Sequence, residues 1–325
     1  MIARVKQRCA RAVLAVALGV IGCGKKPVPE PTASTAKPVV ASKVVAPAKP
    51  PAAAPTPAHV PAQVRVVVVS VDGLRPDMIT PEVMPRHVKM MSEGVTARIA
   101  STILQSDTLP SHAAMLSGRG VAAHGLTWNS YKQNRGFIRV PTIFSMAREH
   151  GLSTAMIVGK QKLRHIAGPD SVDHFERPSY LCGGVAKRAA AYFTAEKPDL
   201  LFVHFSDPDE YGHSHGWMSK EYVKAAQNSD ACLGVVLDAI DASPVAASTL
   251  VIVTADHGGE AHVHSNGRLG VNGHIPWIAR GPGIVAGSVI EEPVATFDTA
   301  ATTLAALGLP ILPEMSGASR VQFTR

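Results

Sequence analysis

Apolar runs and amphipathic segments alternate along most of the chain, and this pattern predicts strands and helices in turn. The apolar runs have the continuous character of strands buried on both faces of a parallel sheet. The predicted strands are residues 64–71, 154–158, 200–205, 250–254 and 275–279. The predicted helices are residues 141–150, 221–240 and 298–307, the last with Asp298 as its N-cap. This alternation predicts an α/β fold, with a doubly wound, mostly parallel central sheet and helices on both faces.

The first 62 residues have a different pattern. Four basic residues precede an apolar run over 12–21, which is too short to cross a bilayer and is typical of a signal peptide. The run ends in Val-Ile-Gly-Cys at 20–23, which resembles the lipobox of bacterial lipoproteins. We therefore predict a lipoprotein signal peptide over 1–22, with Cys23 as the lipidated first residue of the mature protein. The alternative is an ordinary signal peptide with an incidental cysteine.

Residues 27–62 consist almost only of Pro, Ala, Val, Lys, Thr and Ser, without Leu, Ile or aromatic residues. Such a segment cannot bury enough apolar surface to fold. We predict a disordered Pro/Ala-rich tether over 23–62 and a catalytic domain over 63–325. The tether would connect this domain to a lipid bilayer in the bacterial cell envelope.

The net charge of +7 comes from the leader. Residues 1–62 hold nine of the 32 Lys and Arg residues and one of the 25 acids, which leaves 23 bases and 24 acids in the remainder. The predicted domain is close to neutral, so we expect no nucleic-acid binding. No feature implies a protein partner. Cys182 and Cys232 either pair in an oxidising envelope or remain thiols, and the sequence leaves both alternatives open.

Acidic and histidine residues follow three of the predicted strands. These residues are Asp72 after the first strand, Asp209 and His213 after the 200–205 strand, and Asp256 and His257 after the 250–254 strand. The carboxyl ends of parallel strands meet at one edge of a sheet, so these side chains are expected to converge. Carboxylate oxygen and imidazole nitrogen, without cysteine, are typical donors of hydrolytic zinc sites, and there are enough here for two ions. Two ions stabilise both the attacking and the leaving oxygen of a phosphoryl transfer.

A hydroxyl nucleophile is available in the segment Gln-Ser-Asp-Thr-Leu-Pro-Ser-His at 105–112. Thr108 is the preferred candidate because it is followed by a Pro-x-His sequence. Ser106 lacks that context and is the alternative.

Five segments in this order resemble motifs of the alkaline phosphatase superfamily, most closely those of its nucleotide pyrophosphatase/phosphodiesterase branch. Val-Asp-Gly at 71–73 resembles the first metal motif, and Thr-Leu-Pro-Ser-His at 108–112 resembles the Thr-Phe-Pro-Asn-His nucleophile motif. Residues 124–129 resemble the stretch that ends in a phosphoryl-binding asparagine. Residues 208–213 match Pro-Asp-x-x-Gly-His, and residues 256–258 match Asp-His-Gly. The resemblance runs from about Val64 to the C-terminus.

This resemblance implies two zinc ions, with other divalent metals as alternatives. One ion would be bound by Asp209, His213 and His264, and the other by Asp72, Asp256, His257 and the Thr108 oxygen. His264 is preferred over His274 because its spacing from Asp256 and from the Gly-Pro-Gly turn at 281–283 fits the family better. Thr108 would form a phosphothreonine intermediate, and Asn129 would bind a phosphoryl oxygen.

We predict a phosphodiesterase that acts on a small phosphate ester. Leu109 replaces the Phe that often follows the family's threonine, so selectivity for nucleotides is left open. Lys162 and Arg164 have the Lys-x-Arg spacing with which threonine-type alkaline phosphatases bind phosphomonoesters, so a monoesterase is the main alternative. A sulfatase would need Cys or Ser in place of Thr108. A non-catalytic, metal-binding envelope lipoprotein is the remaining alternative, although every catalytic position is filled.

Overall fold

The computed structural model of the chain describes residues 63–264 and 270–323. The predicted signal peptide, the tether and Cys23 lie outside these residues. Within them, no helix combines the length and the apolar character needed to cross a membrane.

Strands and helices alternate through the described part of the chain. The strands are β1 (Arg65–Val71), β2 (Val95–Ala97), β3 (Ala100–Ser101), β4 (Thr154–Val158), β5 (His174–Glu176), β6 (Leu200–Phe205), β7 (Thr249–Thr254), β8 (Trp277–Arg280), β9 (Ser288–Ile290) and β10 (Val294–Ala295). The α-helices are α1 (Pro85–Glu93), α2 (Thr108–Ser117), α3 (Val121–His124), α4 (Ile143–Glu149), α5 (Cys182–Glu196), α6 (Asp209–His215), α7 (Lys220–Asp241), α8 (Gly270–Gly273) and α9 (Asp298–Leu307).

Eight of these strands form one sheet in the order β5-β4-β6-β1-β7-β8-β2-β9. The five strands from β5 to β7 in this order run parallel to one another, and β8 is antiparallel to both β7 and β2. The three central strands are buried on both faces, which explains their continuous apolar runs. The predicted mostly parallel α/β fold is confirmed.

The helices pack in two groups against this sheet. The longest helix, α7, packs on α5 and α1, whereas α9 packs on α2, α4 and β1. A disulfide between Cys182 and Cys232 links α5 to α7, with a Cα–Cα distance of 6.0 Å. The pairing that the sequence left open is therefore present in the structure.

The start of the last helix differs from the sequence prediction. Asp298 is the first residue of α9, and Phe297 is the N-cap. The Asp298 carboxylate instead accepts hydrogen bonds from the backbone of Ala295 and Ala318, both at 2.8 Å, and from Arg320 at 2.6 Å. The side chain thus binds the C-terminal segment, a long-range role that a local capping rule does not anticipate.

Candidate active site

A first group of candidate metal ligands lies at the carboxyl ends of the central strands β1 and β7. Asp72, Asp256 and His257 are fully buried. His257 Nε2 is 3.4 Å from Asp72 Oδ1 and 3.5 Å from Asp256 Oδ2. The structure therefore brings together the three side chains that the sequence assigned to one ion.

A second group lies after β6, where Asp209 and His213 occupy successive turns of α6 and His264 approaches from the loop after β7. His213 Nε2 is 3.4 Å from Asp209 Oδ1 and 3.1 Å from His264 Nε2. His264 Nε2 is 4.0 Å from the same Asp209 oxygen. His257 Nε2 is 3.8 Å from that oxygen as well, so the two groups adjoin each other.

Both groups fit a divalent cation bound through oxygen and nitrogen. Zinc bonds of about 2.0–2.1 Å in a tetrahedron place ligand atoms about 3.3–3.4 Å apart, close to the separations observed here. Asp72 Oδ1, Asp209 Oδ1, Asp256 Oδ2 and His257 Nε2 are buried, and the described residues offer them no hydrogen-bond partner. Buried polar atoms of this kind need a partner, and a bound cation would supply one.

Lys160 lies between the two groups and was not predicted from the sequence. Its Nζ is 2.7 Å from Asp72 Oδ2 and 2.6 Å from Asp209 Oδ2. Burial alone would lower the pKa of Lys160, but Asp209, Asp72 and Asp256 outweigh burial and hold that pKa well above its usual value. Each of the two bridged carboxylates thus binds Lys160 through Oδ2 and keeps Oδ1 for its own ligand group.

The electrostatics of the first group favour positive charge. Burial would raise the pKa of Asp72, but Lys160, His204 and His257 outweigh it and hold this pKa well below the usual range. Burial, followed by the nearby Asp72 charge, raises the pKa of Asp256 to about 7. Burial opposes charge on His257, yet Asp256 and Asp72 raise its pKa to about 9. The negative charges of Asp72 and Asp256 therefore stabilise a cation in this group, whether it is a proton or a metal ion.

Gly73 allows the two groups to approach each other. Its φ is +71°, a backbone conformation that residues with a side chain rarely adopt. A Cβ at this position would lie 2.9 Å from both Cα and Cβ of Asp209. Its amide donates to Asp256 Oδ1 at 3.1 Å. Glycine at 73 is required by this close packing of the β1 and β6 loops.

Thr108 is the first residue of α2 and is 1% exposed. It lines a cavity of about 480 Å³ together with Lys160, Lys162, Asp209, His213 and His264. The rest of its motif holds the helix start in place: His112 contacts the Thr108 carbonyl at 2.7 Å and Ser70 at 2.8 Å, and Ser111 donates to the Asp256 carbonyl at 2.7 Å. The preferred nucleophile thus lies in the cavity that contains the second ligand group.

Asn129 and Lys162 also line this cavity and contact each other. Asn129 Oδ1 accepts hydrogen bonds from the Leu109 amide at 3.1 Å and from Lys162 Nζ at 3.0 Å. Burial, with Lys160 nearby, lowers the pKa of Lys162. The structure does not bring Arg164 to the cavity. Its guanidinium lies 5.8 Å from the Phe137 ring centroid and 4.9 Å from that of Phe175, so the predicted Lys-x-Arg pair is separated.

Ser106, the alternative nucleophile, and His274, the alternative metal ligand, make contacts that do not fit those roles. Ser106 is buried and donates to the His264 carbonyl at 2.6 Å, which supports the loop of that ligand. His274 pairs with Ser101 in an isolated bridge and lines a different cavity, together with Trp277. The structure therefore places His264, not His274, with Asp209 and His213.

The fold and this constellation define an alkaline phosphatase-like protein, and solved structures agree on the fold. Murine ectonucleotide pyrophosphatase/phosphodiesterase 5, solved as an inactive variant with AMP, matches with a TM-score of 0.65 at 16% identity, over 77% of this chain and 96% of that one. A 2-O GAG sulfatase matches with a TM-score of 0.66 at 18% identity, over 79% of this chain and 73% of that one.

The family model of the type I phosphodiesterases/nucleotide pyrophosphatases matches residues 66–278, and the chain belongs to this family. Ectonucleotide pyrophosphatase/phosphodiesterase family member 7 from Rattus norvegicus is 23% identical over 219 residues, which are 60% of this chain and 50% of the relative. A 2,3-bisphosphoglycerate-independent phosphoglycerate mutase from Desulforudis audaxviator is 33% identical over 128 residues, 38% of this chain and 24% of that one. The chain thus spans half or less of these relatives' length.

Proposed function

We propose that the chain is a metal-dependent phosphodiesterase with Thr108 as its nucleophile. The observation that carries this proposal is the position of Thr108, at a helix start in the same cavity as Asp209, His213 and His264. Two divalent ions, for which the donor set favours zinc, would stabilise charge on the attacking and leaving oxygens when bound. Asp209, His213 and His264 would hold one ion, and Asp72, Asp256 and His257 the other.

The start of α2 suits an anionic ester. The first N–H groups of a helix and its dipole favour negative charge, and α2 is ten residues long. In the proposed reaction, Thr108 Oγ loses its hydroxyl proton to solvent and forms a bond to phosphorus, while the bond to the leaving alcohol oxygen breaks and that oxygen gains a proton from solvent. Water then hydrolyses the phosphothreonine and regenerates the hydroxyl. Asn129 and the backbone N–H groups of the helix start bind a phosphoryl oxygen as charge develops.

A phosphomonoesterase is the second candidate, and the position of Lys162 favours it. A monoester phosphoryl group carries more negative charge than that of a diester, so a cation that reaches the phosphoryl group selects for it. Lys162 lies beside Asn129 in the cavity, whereas Arg164 packs on aromatic rings elsewhere.

The decisive experiment compares bis-p-nitrophenyl phosphate with p-nitrophenyl phosphate. We expect the protein to hydrolyse the diester faster, to lose activity with a chelator and to regain it with Zn²⁺. Thr108→Ala should reduce turnover about 10³-fold or more, since the covalent route is lost. Metal analysis should return about two ions per chain. Activity that survives both chelation and Thr108→Ala would refute the mechanism, and inactivity on both esters would favour the non-catalytic alternative.

We also propose that the domain is attached to a membrane of the bacterial cell envelope through lipidated Cys23. The support is the sequence pattern of residues 1–62. The substrate would then be a small phosphate ester in the envelope.

A further inference from the structure

His204 is a buried histidine that the reaction outlined above does not use. It lies on β6, with its neighbours Val158 on β4 and Ser70 on β1 in register, and it is fully buried. Its Nε2 atom is 2.9 Å from Asp72 Oδ2. Carboxylate oxygens accept hydrogen bonds, so His204 Nε2 carries the ring proton and donates a hydrogen bond to Asp72.

The two oxygens of the Asp72 carboxylate therefore have different surroundings. Oδ2 receives two donors, Lys160 Nζ at 2.7 Å and His204 Nε2 at 2.9 Å. Oδ1 has no hydrogen-bond partner among the described residues and lies 3.4 Å from His257 Nε2, within the first ligand group. The donors fix the rotation of the carboxylate so that one oxygen is presented to this group.

Packing alone does not account for histidine at this position. Phe202, two residues earlier on the same strand, faces the same neighbour: the His112 ring lies 5.8 Å from Phe202 and 4.9 Å from His204. Phe202 shows that an apolar ring fits against His112. The feature that a histidine adds at 204 is the hydrogen bond to Asp72.

We propose that His204 is a positioning residue that orients Asp72 to bind a metal ion. This inference rests on the metal site in the proposed function. Hydrogen bonds to ligating carboxylates fix their orientation, and loss of such partners typically costs about 10–100-fold in metal affinity.

Two amide substitutions test this role. The Gln amide nitrogen reaches about as far as histidine Nε2, whereas the Asn amide reaches only to the position of Nδ1. We expect His204→Gln to bind Zn²⁺ within a few-fold of the parent, and His204→Asn to bind about 10–100-fold more weakly at one of two sites. Phe202→Leu is the packing control, and its Zn²⁺ affinity should match that of the parent. Affinities are measured on chelator-treated protein by competition with a chromophoric chelator, and thermal unfolding of the metal-free variants checks that each is folded.

The results separate this inference from the proposed function. A parent protein that binds no Zn²⁺ would overturn the metal site itself. If the parent binds two ions and His204→Asn binds them equally well, His204 has no positioning role. Equal weakening in His204→Gln and His204→Asn would also overturn the inference, because the hydrogen bond would then not be the property that matters. If His204→Asn does not fold, recovery of affinity by His204→Gln relative to His204→Phe decides the question.

Discussion

Lys162 and Arg164 are two residues apart in sequence, but their side chains have different surroundings. We expect Lys162→Ala to lower kcat/KM for p-nitrophenyl phosphate about 10–100-fold, since a charge-assisted contact is worth about 1.5–3 kcal/mol. The loss for the diester should be smaller, because its phosphoryl group carries less charge. Steady-state kinetics on both esters measure this difference.

Arg164→Ala is the matched control, because its guanidinium packs on Phe137 and Phe175. It should leave the ratio of the two kcat/KM values unchanged. A change of that ratio in Arg164→Ala equal to that in Lys162→Ala would show that Arg164 reaches the substrate after all.

His124, the last residue of α3, gives the fold a dependence on pH. It is 2% exposed, and burial lowers its pKa from 6.5 to about 4. Between these values the unfolded chain binds a proton that the folded chain does not. The contribution of neutral His124 is therefore complete above pH 6.5 and is lost as the pH falls toward 4. His124→Gln should show a shallower fall in the free energy of unfolding over this interval, measured by denaturant titration. Identical pH profiles for variant and parent would contradict this assignment.

Site residues could be predicted where strand ends and motifs coincide. Asp72, Asp209 and Asp256 follow apolar strands, and the parallel topology brings them together. Lys160 follows the end of β4 by the same rule, but one lysine after a strand has no motif to distinguish it from a solvent-exposed residue. His204 lies inside an apolar strand, where its hydrogen bond to Asp72 depends on the pairing of β6 with β1 and has no local signal.

At the scale of elements, α1 begins without a capping side chain of its own, since its N-cap is Met84. Asp230 on α7 supplies the cap by accepting hydrogen bonds from the amides of Arg86 and His87, both at 3.0 Å, and from His87 Nδ1 at 2.7 Å. We expect Asp230→Ala to lower the free energy of unfolding by about 1–3 kcal/mol, because the helix loses its cap and a buried imidazole loses its partner.

Asp238, two turns further along α7, provides the control substitution for Asp230→Ala. It forms an exposed ion pair with Arg86 at 3.2 Å, and such pairs contribute about 0–1 kcal/mol. Asp238→Ala should therefore have a smaller effect in chemical unfolding. Equal losses in the two variants would mean that the cap contributes no more than surface charge.

Element bounds were predicted best where apolar runs are continuous. Strands β4 and β6 match the sequence prediction residue for residue, because their side chains are buried on both faces. The two- and three-residue strands β2, β3, β5, β9 and β10 are too short to produce a period. They depend on partners far away in sequence, as β2 does on β8 and β9.

At the scale of the whole molecule, a lipid anchor at Cys23, as proposed above, would hold the chain at a membrane. Cys23→Ser should move the protein from the membrane fraction to the soluble fraction and leave hydrolysis of bis-p-nitrophenyl phosphate unchanged, because the predicted tether separates the anchor from the domain. Cys9→Ser, within the predicted signal peptide, should stay with the membranes. Persistence of Cys23→Ser in membranes after a high-salt wash would refute lipidation at this residue.

Gly73 has a consequence for how this protein can evolve. The two ligand groups adjoin because residue 73 has no side chain, so any substitution at this position alters both groups at once. If codon 73 is randomised and the library is selected for phosphoesterase activity, we expect glycine in nearly all survivors. A library at Gly183, where an added Cβ would meet no other part of the described structure within 4 Å beyond its own helix turn, should return many residue types. Descendants of this sequence would then be free to change the wall of the cavity, while the turn that brings the two candidate metal-binding groups together stays fixed.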